Sequence, residues 1–256
     1  GVVVTVRLLR GLLIPHWPAI ENDEAHNSAH AAGVLETGRP QVTLFNGYLD
    51  SDRLSFYTTP GVAYGTAAWF AITGVGYAQS RLFATLAYVL GILGAFACGR
   101  LAFRSENWGL IMAVVAGTER VWIGRVASAR PEAWQAATVF WSFAALLWAF
   151  DAARARTAFA RAFVAGAASA LTMVIWPSGG VICASLALAA LIITFNIPAL
   201  PRWSLLVGLA AGMSLAAVAW GAFYQLDPRL FSLQSVDGIF RSLAQPASLP
   251  ARAAKQ

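Results

Sequence analysis

Charge is scarce in this chain. Asp, Glu, Lys and Arg make up only 12% of its 256 residues, against about a quarter in an average soluble domain. Acids are scarcer than bases, 12 against 18, which leaves a formal charge of +6. With 58% hydrophobic residues and a mean hydropathy of +0.61, this shortage excludes an ordinary soluble domain. Basic runs with interleaved aromatics are missing, so nucleic acid is not the expected partner. The positive balance points instead to membrane orientation and anionic lipid. Cysteine is limited to Cys98 and Cys183, both in apolar segments. They read as small buried hydrophobes and carry no redox message. Internal repeats are lacking. The chain starts at Gly1 without a methionine, and Arg7 and Arg10 interrupt its first apolar stretch. No small-residue cleavage site follows, so the expectation is part of a first spanning helix, trimmed from something longer, not a signal peptide.

What is abundant is apolar sequence in runs close to the roughly 20 residues that cross a bilayer. The expected class is an all-α polytopic membrane protein. Spans are expected at 81–103, 108–122, 133–150, 163–176, 179–195 and 203–224, the second weakened by Glu119 and Arg120 near its end. Residues 61–76 are short and glycine-rich, which suits an interfacial helix as well as a crossing. Four regions result: a partial first transmembrane helix at 1–18, an outer loop with interfacial helices at 19–78, a transmembrane core at 79–224, and an outer amphipathic helix with a disordered tail at 225–256. Short turns make neighbouring spans antiparallel. Arg100, Arg104, Arg154, Arg156, Arg161 and Arg202 then share one side, which the positive-inside rule makes cytoplasmic. The 21–60 loop, the 120–132 loop, the 177–180 turn and the C-terminal tail share the outer side, which also holds Arg39, Arg53, Arg125, Arg130, Arg229 and Arg241, a surplus that blurs the rule and suits phosphate binding.

The longest polar run is 21–40, ENDEAHNSAHAAGVLETGRP. It reads as a helix with Asn22 as N-cap, Asp23 and Glu24 in the favourable field of the first turn, and Gly38–Pro40 as the stop. Helical spacing places Asp23, His26, Asn27 and His30 on one polar face, and Ala25, Ala29 and Ala32 on the opposite, packing face. His26 and His30 at i, i+4 could bind a metal with Asp23. The sequence is HNSAH, however, so the glutamate of a zinc-protease HExxH is absent.

Two acidic sites are expected to converge at the outer surface: Asp23–Glu24, and Glu132 in GRVASARPEAW. Carboxylates there could act as a base or hold a divalent cation, with Asp23 and Glu132 as the metal pair, within about 12 Å of each other. Arg125 and Arg130 lie near Glu132 and could neutralise a phosphate bidentately. The plain alternative is structural. Asp23 and Glu24 could be capping charge, and Pro131–Glu132 is an ordinary helix start.

The ordered set of these elements resembles the GT-C class of membrane glycosyltransferases, in particular the bacterial branch related to protein O-mannosyltransferases and aminoarabinose transferases. The features carrying the resemblance are DEAHNSAHAAGVLETG, YTTPGVAYGTAAWFAITGVG, Arg81–Leu82 opening a span, and Arg130–Pro131–Glu132. They cover about residues 15–195, and no single motif among them is specific. His26 and His30 depart from the pattern, as does Thr59 before Pro60. The resemblance implies a GT-C-like helical bundle with interfacial helices in the first outer loop. It implies an inverting enzyme that moves a sugar from a polyprenyl-phosphate donor to a hydroxyl of a lipid, glycan or protein. Asp23 and Glu24 would be catalytic. Glu132, Arg130, Arg125 and Arg81 would hold acceptor, donor or departing phosphate, with a divalent ion as a possible cofactor. The setting would be a bacterial inner membrane with the site on its outer face, among membrane lipids. The family usually continues through more spans, so a fragment or a minimal relative is expected. A non-catalytic polytopic membrane protein and a transporter are the rival classes. A transporter would need polar groups near the midplane, and the expected spans hold almost none away from their ends.

Overall fold

A computed structural model describes residues 22–43, 50–197 and 201–234. The expected first span, residues 44–49 of the expected outer loop and the C-terminal tail lie outside these residues. Ten helices and no strand occur among the described residues. They are α1 (Asn22–Thr37), α2 (Pro60–Thr73), α3 (Tyr77–Phe103), α4 (Glu106–Thr118), α5 (Arg120–Ala127), α6 (Glu132–Phe150), α7 (Ala155–Ile175), α8 (Gly179–Asn196), α9 (Arg202–Tyr224) and α10 (Pro228–Gln234). Of these, α3, α6, α7, α8 and α9 are long and apolar enough to cross a membrane. The chain is therefore an integral, multi-pass, all-α membrane protein.

Side-chain contacts fix the directions. Phe83 meets Trp134, Gly94 abuts Phe140, and Arg104 reaches Asp151, so α3 and α6 run parallel. Thr138 bonds Thr172 and Arg161 bonds the Trp148 carbonyl, so α7 runs back along α6. The closest packing is between α7 and α9. Backbone at Phe159 lies against Gly208 and backbone at Phe163 against Gly212, so closely that a Cβ at either glycine would clash. Membrane helices approach this closely only where a small residue leaves room. Between them, α8 starts beside Gln135, whose amide donates to the Ser178 hydroxyl.

One end of the bundle thus carries α1, α2, the 128–131 turn, the 176–178 turn and α10. The other carries the 104–105, 151–154 and 197–201 connections. This is the expected alternation. Two boundaries differ from expectation. Helix α7 starts at Ala155, so Arg156 and Arg161 sit within it and not in a loop. Arg161 lies over the Trp148 ring at 4.4 Å, its stem covering apolar surface. The expected span at 108–122 is broken at Glu119, whose carboxylate caps α5 by accepting from the Val121 and Trp122 amides. Helices α4 and α5 together run antiparallel to α3. Gly99 abuts Trp108, Gly117 abuts Ile92, and Trp122 abuts Gly91. Glu119 and Arg120, expected near the end of that span, thus lie at the break, beside the Tyr88–Ile92 stretch of α3.

Helix α1 stops as its sequence dictates. Gly38 adopts φ 76°, a left-handed conformation that glycine takes without steric cost, and its N–H bonds the Val34 carbonyl. Asn22 already lies within the helix, so the capping position falls outside the described residues.

Candidate functional site

Helix α1 lies across the end of the bundle, and its two acids face different surroundings. Glu24 is fully buried. Its Oε1 accepts from Arg81 Nε at 2.7 Å and its Oε2 from Arg81 Nη2 at 2.8 Å. This bidentate geometry is the strongest form of the pair, and neither charge meets water. It ties α1 to the first turns of α3, and Ser28 Oγ adds a 2.8 Å bond to Ser80 Oγ one helical turn on. Both Glu24 oxygens are engaged, and the Arg81 guanidinium faces Glu24, which leaves neither residue presented to a substrate.

Asp23, the preceding residue, has a side chain 54% exposed and accepts from Arg130 Nη1 at 2.9 Å. The same guanidinium donates from Nη2 to Glu132 Oε1 at 3.1 Å and from Nε to Oε2 at 3.3 Å. The expected approach of Asp23 and Glu132 is therefore met at a single arginine. The two carboxylates and one guanidinium carry a net charge of −1.

Arg130 is aimed by a tight turn. Its N–H reaches back to the Arg125 carbonyl at 2.9 Å, and Ala129 before it adopts φ 48°. A residue with a Cβ is strained there by about 1 kcal/mol. Pro131 then starts α6, with Glu132 in its first turn. Arg125, in the last turn of α5, is half-buried and pairs with no described carboxylate. Among the described residues no group of three or more His, Cys, Asp or Glu could hold a metal ion.

Arg130 also lines a cleft of about 180 Å³ between α1, α2, α3, the 128–131 turn and the α6–α7 pair. Its walls are mostly apolar, with Val62, Phe83, Trp134, Leu171 and Ile175, while Asn27, Ser28 and Ser80 give it a polar side. Phe83 and Trp134, both lining the cleft, have ring centroids 4.5 Å apart, and Trp69 stacks behind Phe83 at 5.6 Å. The Trp134 indole N–H is shielded from solvent and has no partner.

The two histidines depart from expectation. His30 is fully buried, not on an open polar face. Its Nδ1 lies 2.8 Å from the His26 carbonyl, which can only accept, so Nδ1 carries the proton and Nε2 accepts from the Ser55 hydroxyl at 2.7 Å. Burial, followed by the neighbouring His26, lowers its pKa from 6.5 to about 3. Burial also lowers that of His26, against the pull of Asp23. His30 is thus a neutral tie between α1 and the 50–59 loop. The expected packing face of Ala25, Ala29 and Ala32 is only half-buried. The buried positions are Glu24, His30, Ala31 and Gly33, with Ala31 against Ala67 and Phe70 of α2.

Three of these partners escape sequence reasoning. Arg81 carries a signal, since an arginine inside a span needs a counter-charge, but its partner lies 57 residues away. Ser55 and Trp134 carry none. No family model matches the chain, and neither a curated protein nor a solved structure matches it.

Proposed function

We propose that this protein is a membrane glycosyltransferase of the GT-C kind, moving a sugar from a lipid-phosphate donor to an acceptor hydroxyl. The observation supporting this most is the placing of Asp23. It is a half-exposed carboxylate held by an arginine that lines an apolar cleft at one end of a membrane bundle. An amphiphilic donor needs an apolar wall for its chain and a polar rim for its reacting centre. In this reading Asp23 takes the proton of the acceptor hydroxyl. The acceptor oxygen bonds the anomeric carbon as the bond from that carbon to the phosphate oxygen breaks, inverting the centre. The lipid phosphate leaves with the electron pair. Arg130 is already shared by two carboxylates, so its part is to orient Asp23. Arg125, which pairs with no described carboxylate, is assigned to the departing phosphate, where stabilisation counts most in the transition state. Glu24 and Arg81 hold the frame, a change from the catalytic and phosphate-binding parts first expected of them. A divalent ion between Asp23 and Glu132 would have to displace Arg130. In this reading the cleft end faces outward in a bacterial inner membrane, as the GT-C resemblance implies.

The rival reading is a non-catalytic membrane protein in which both ion-pair sets only hold helices together. The double pairing of Arg130 favours it. Asp23→Asn separates the two. As base, Asp23 supplies two to four orders of magnitude, so turnover of a polyprenyl-phosphate sugar should fall by about 10²–10⁴ while donor binding persists. In the rival reading the wild-type protein releases no sugar from that donor, and losing the charge of Asp23 costs at most about 1 kcal/mol. Wild-type turnover in Asp23→Asn would remove the assignment.

A further inference from the structure

A separate feature sits on the outer surface of the bundle. The break between α4 and α5 places Glu119 and Arg120 beside the Tyr88–Ile92 stretch of α3, fixed by the contacts of Gly117 with Ile92 and of Trp122 with Gly91. Leu90 is about 14 Å along the helix from Arg81 and about 15 Å from Arg100, at 1.5 Å per residue. Glu119 and Arg120 are therefore near mid-depth of the crossing. Both are exposed. Glu119 spends its oxygens on the α5 amides, and Arg120 makes no ion pair with a described residue. Around them runs an exposed apolar ridge, Leu110, Ile111, Val114, Val115 and Val121. An arginine open to lipid at that depth is among the costliest placements a membrane helix can make, and such residues as a rule face protein or water.

We infer that the α4–α5 face is a homodimer interface, in which Glu119 of each copy meets Arg120 of the other. The occupant is argued from charge and symmetry. A two-fold axis along the membrane normal keeps every residue at its own depth. Adjacent residues of opposite sign on one face are then self-complementary, and two reciprocal ion pairs form at once. A partner bearing one sign of charge would satisfy only one of the two residues. The ridge supplies the apolar surround that excludes lipid from the pairs. The carboxylate that caps α5 keeps lone pairs for a second donor.

The test is disulfide cross-linking in native membranes, with Cys98 and Cys183 replaced by alanine. Val121→Cys should give a linked dimer, while Val181→Cys, equally exposed on α8, should not. Adding Arg120→Glu should lower the cross-linked fraction about tenfold, since four carboxylates then meet at mid-depth. The swap Glu119→Arg with Arg120→Glu should restore it. Loss of the α5 cap could unfold the swapped protein, so the second arm confines that loss to one copy and keeps Glu119 in the other. Differently tagged Arg120→Glu and Glu119→Lys copies, co-expressed, should pair with each other and not with themselves. Absence of a Val121→Cys dimer, equal linking at Val181→Cys, or linking unmoved by Arg120→Glu would each overturn the interface. A dimer whose linking neither the swap nor the mixed pair restores would overturn the reciprocal pairing.

Discussion

The two ends of the bundle use charge in opposite ways. At the cleft end the ion pairs are close, with Glu24 buried on Arg81 and both Asp23 and Glu132 on the partly exposed Arg130. Polar groups there tie together segments far apart in the chain. At the far end the arginines outnumber the acids, and the two ion pairs are loose and open. Arg100–Glu106 spans 3.8 Å and Arg104–Asp151 3.4 Å, between mostly exposed side chains. Charge at the first end holds structure. Charge at the second is mostly open to its surroundings and holds little together.

The sharpest way to break this contrast is to unpair Glu24. Glu24→Gln removes the bidentate charge partner of the buried Arg81 guanidinium, which should cost about 3–5 kcal/mol in thermal unfolding in detergent. The double variant Glu24→Leu with Arg81→Met should recover much of that loss, because the desolvation of two charges disappears with them. A single variant as stable as wild type would mean that water reaches the pair.

Acid offers a milder lever on the same end. His30 titrates at about 3 in the folded protein and at 6.5 in an unfolded chain. Between those values the unfolded state binds more protons, so the contribution is complete above about pH 6.5 and drains away as pH falls toward about 3. Unfolding midpoints should therefore drop on acidification. The drop should shrink in His30→Gln, which starts less stable at neutral pH but has no proton to gain. An equal drop in both proteins would place the acid sensitivity elsewhere.

The smallest effect is expected at the far end. Asp151→Asn and Glu106→Gln should each change stability by no more than about 0.5 kcal/mol, since exposed pairs gain little over hydration. A change of the size expected for Glu24→Gln would erase the distinction between the ends.

How far the sequence reaches follows the same division. The far end and the crossings were legible, because hydropathy and arginine placement are local properties. The stop of α1 at Gly38 and the Pro131–Glu132 start of α6 were legible for the same reason. The inside of the cleft end was not. Helical spacing put His30 on an open polar face, yet the position of Ser55 decided its burial. Glu24 looked like a reactive acid until Arg81 was seen beside it. Hydropathy also read 108–122 as one span, since the apolar average hides the two charges that break it. Convergence of Asp23 and Glu132 could be anticipated from loop topology. The arginine that joins them, although suspected as a phosphate ligand, could be assigned to the carboxylates only from geometry.

The clamp made by Gln234 bears on biosynthesis. Its amide donates to the Leu54 carbonyl at 2.9 Å and accepts from the Phe56 N–H at 2.6 Å, across 180 and 178 residues of chain. The 50–59 loop, which also holds His30 through Ser55, thus waits for the last described helix before its backbone is satisfied. Contacts of such long range close late in folding. During synthesis the 50–59 loop stays incomplete until the described crossings that precede α10 are in place, so a chain stalled partway exposes that loop at the cleft end.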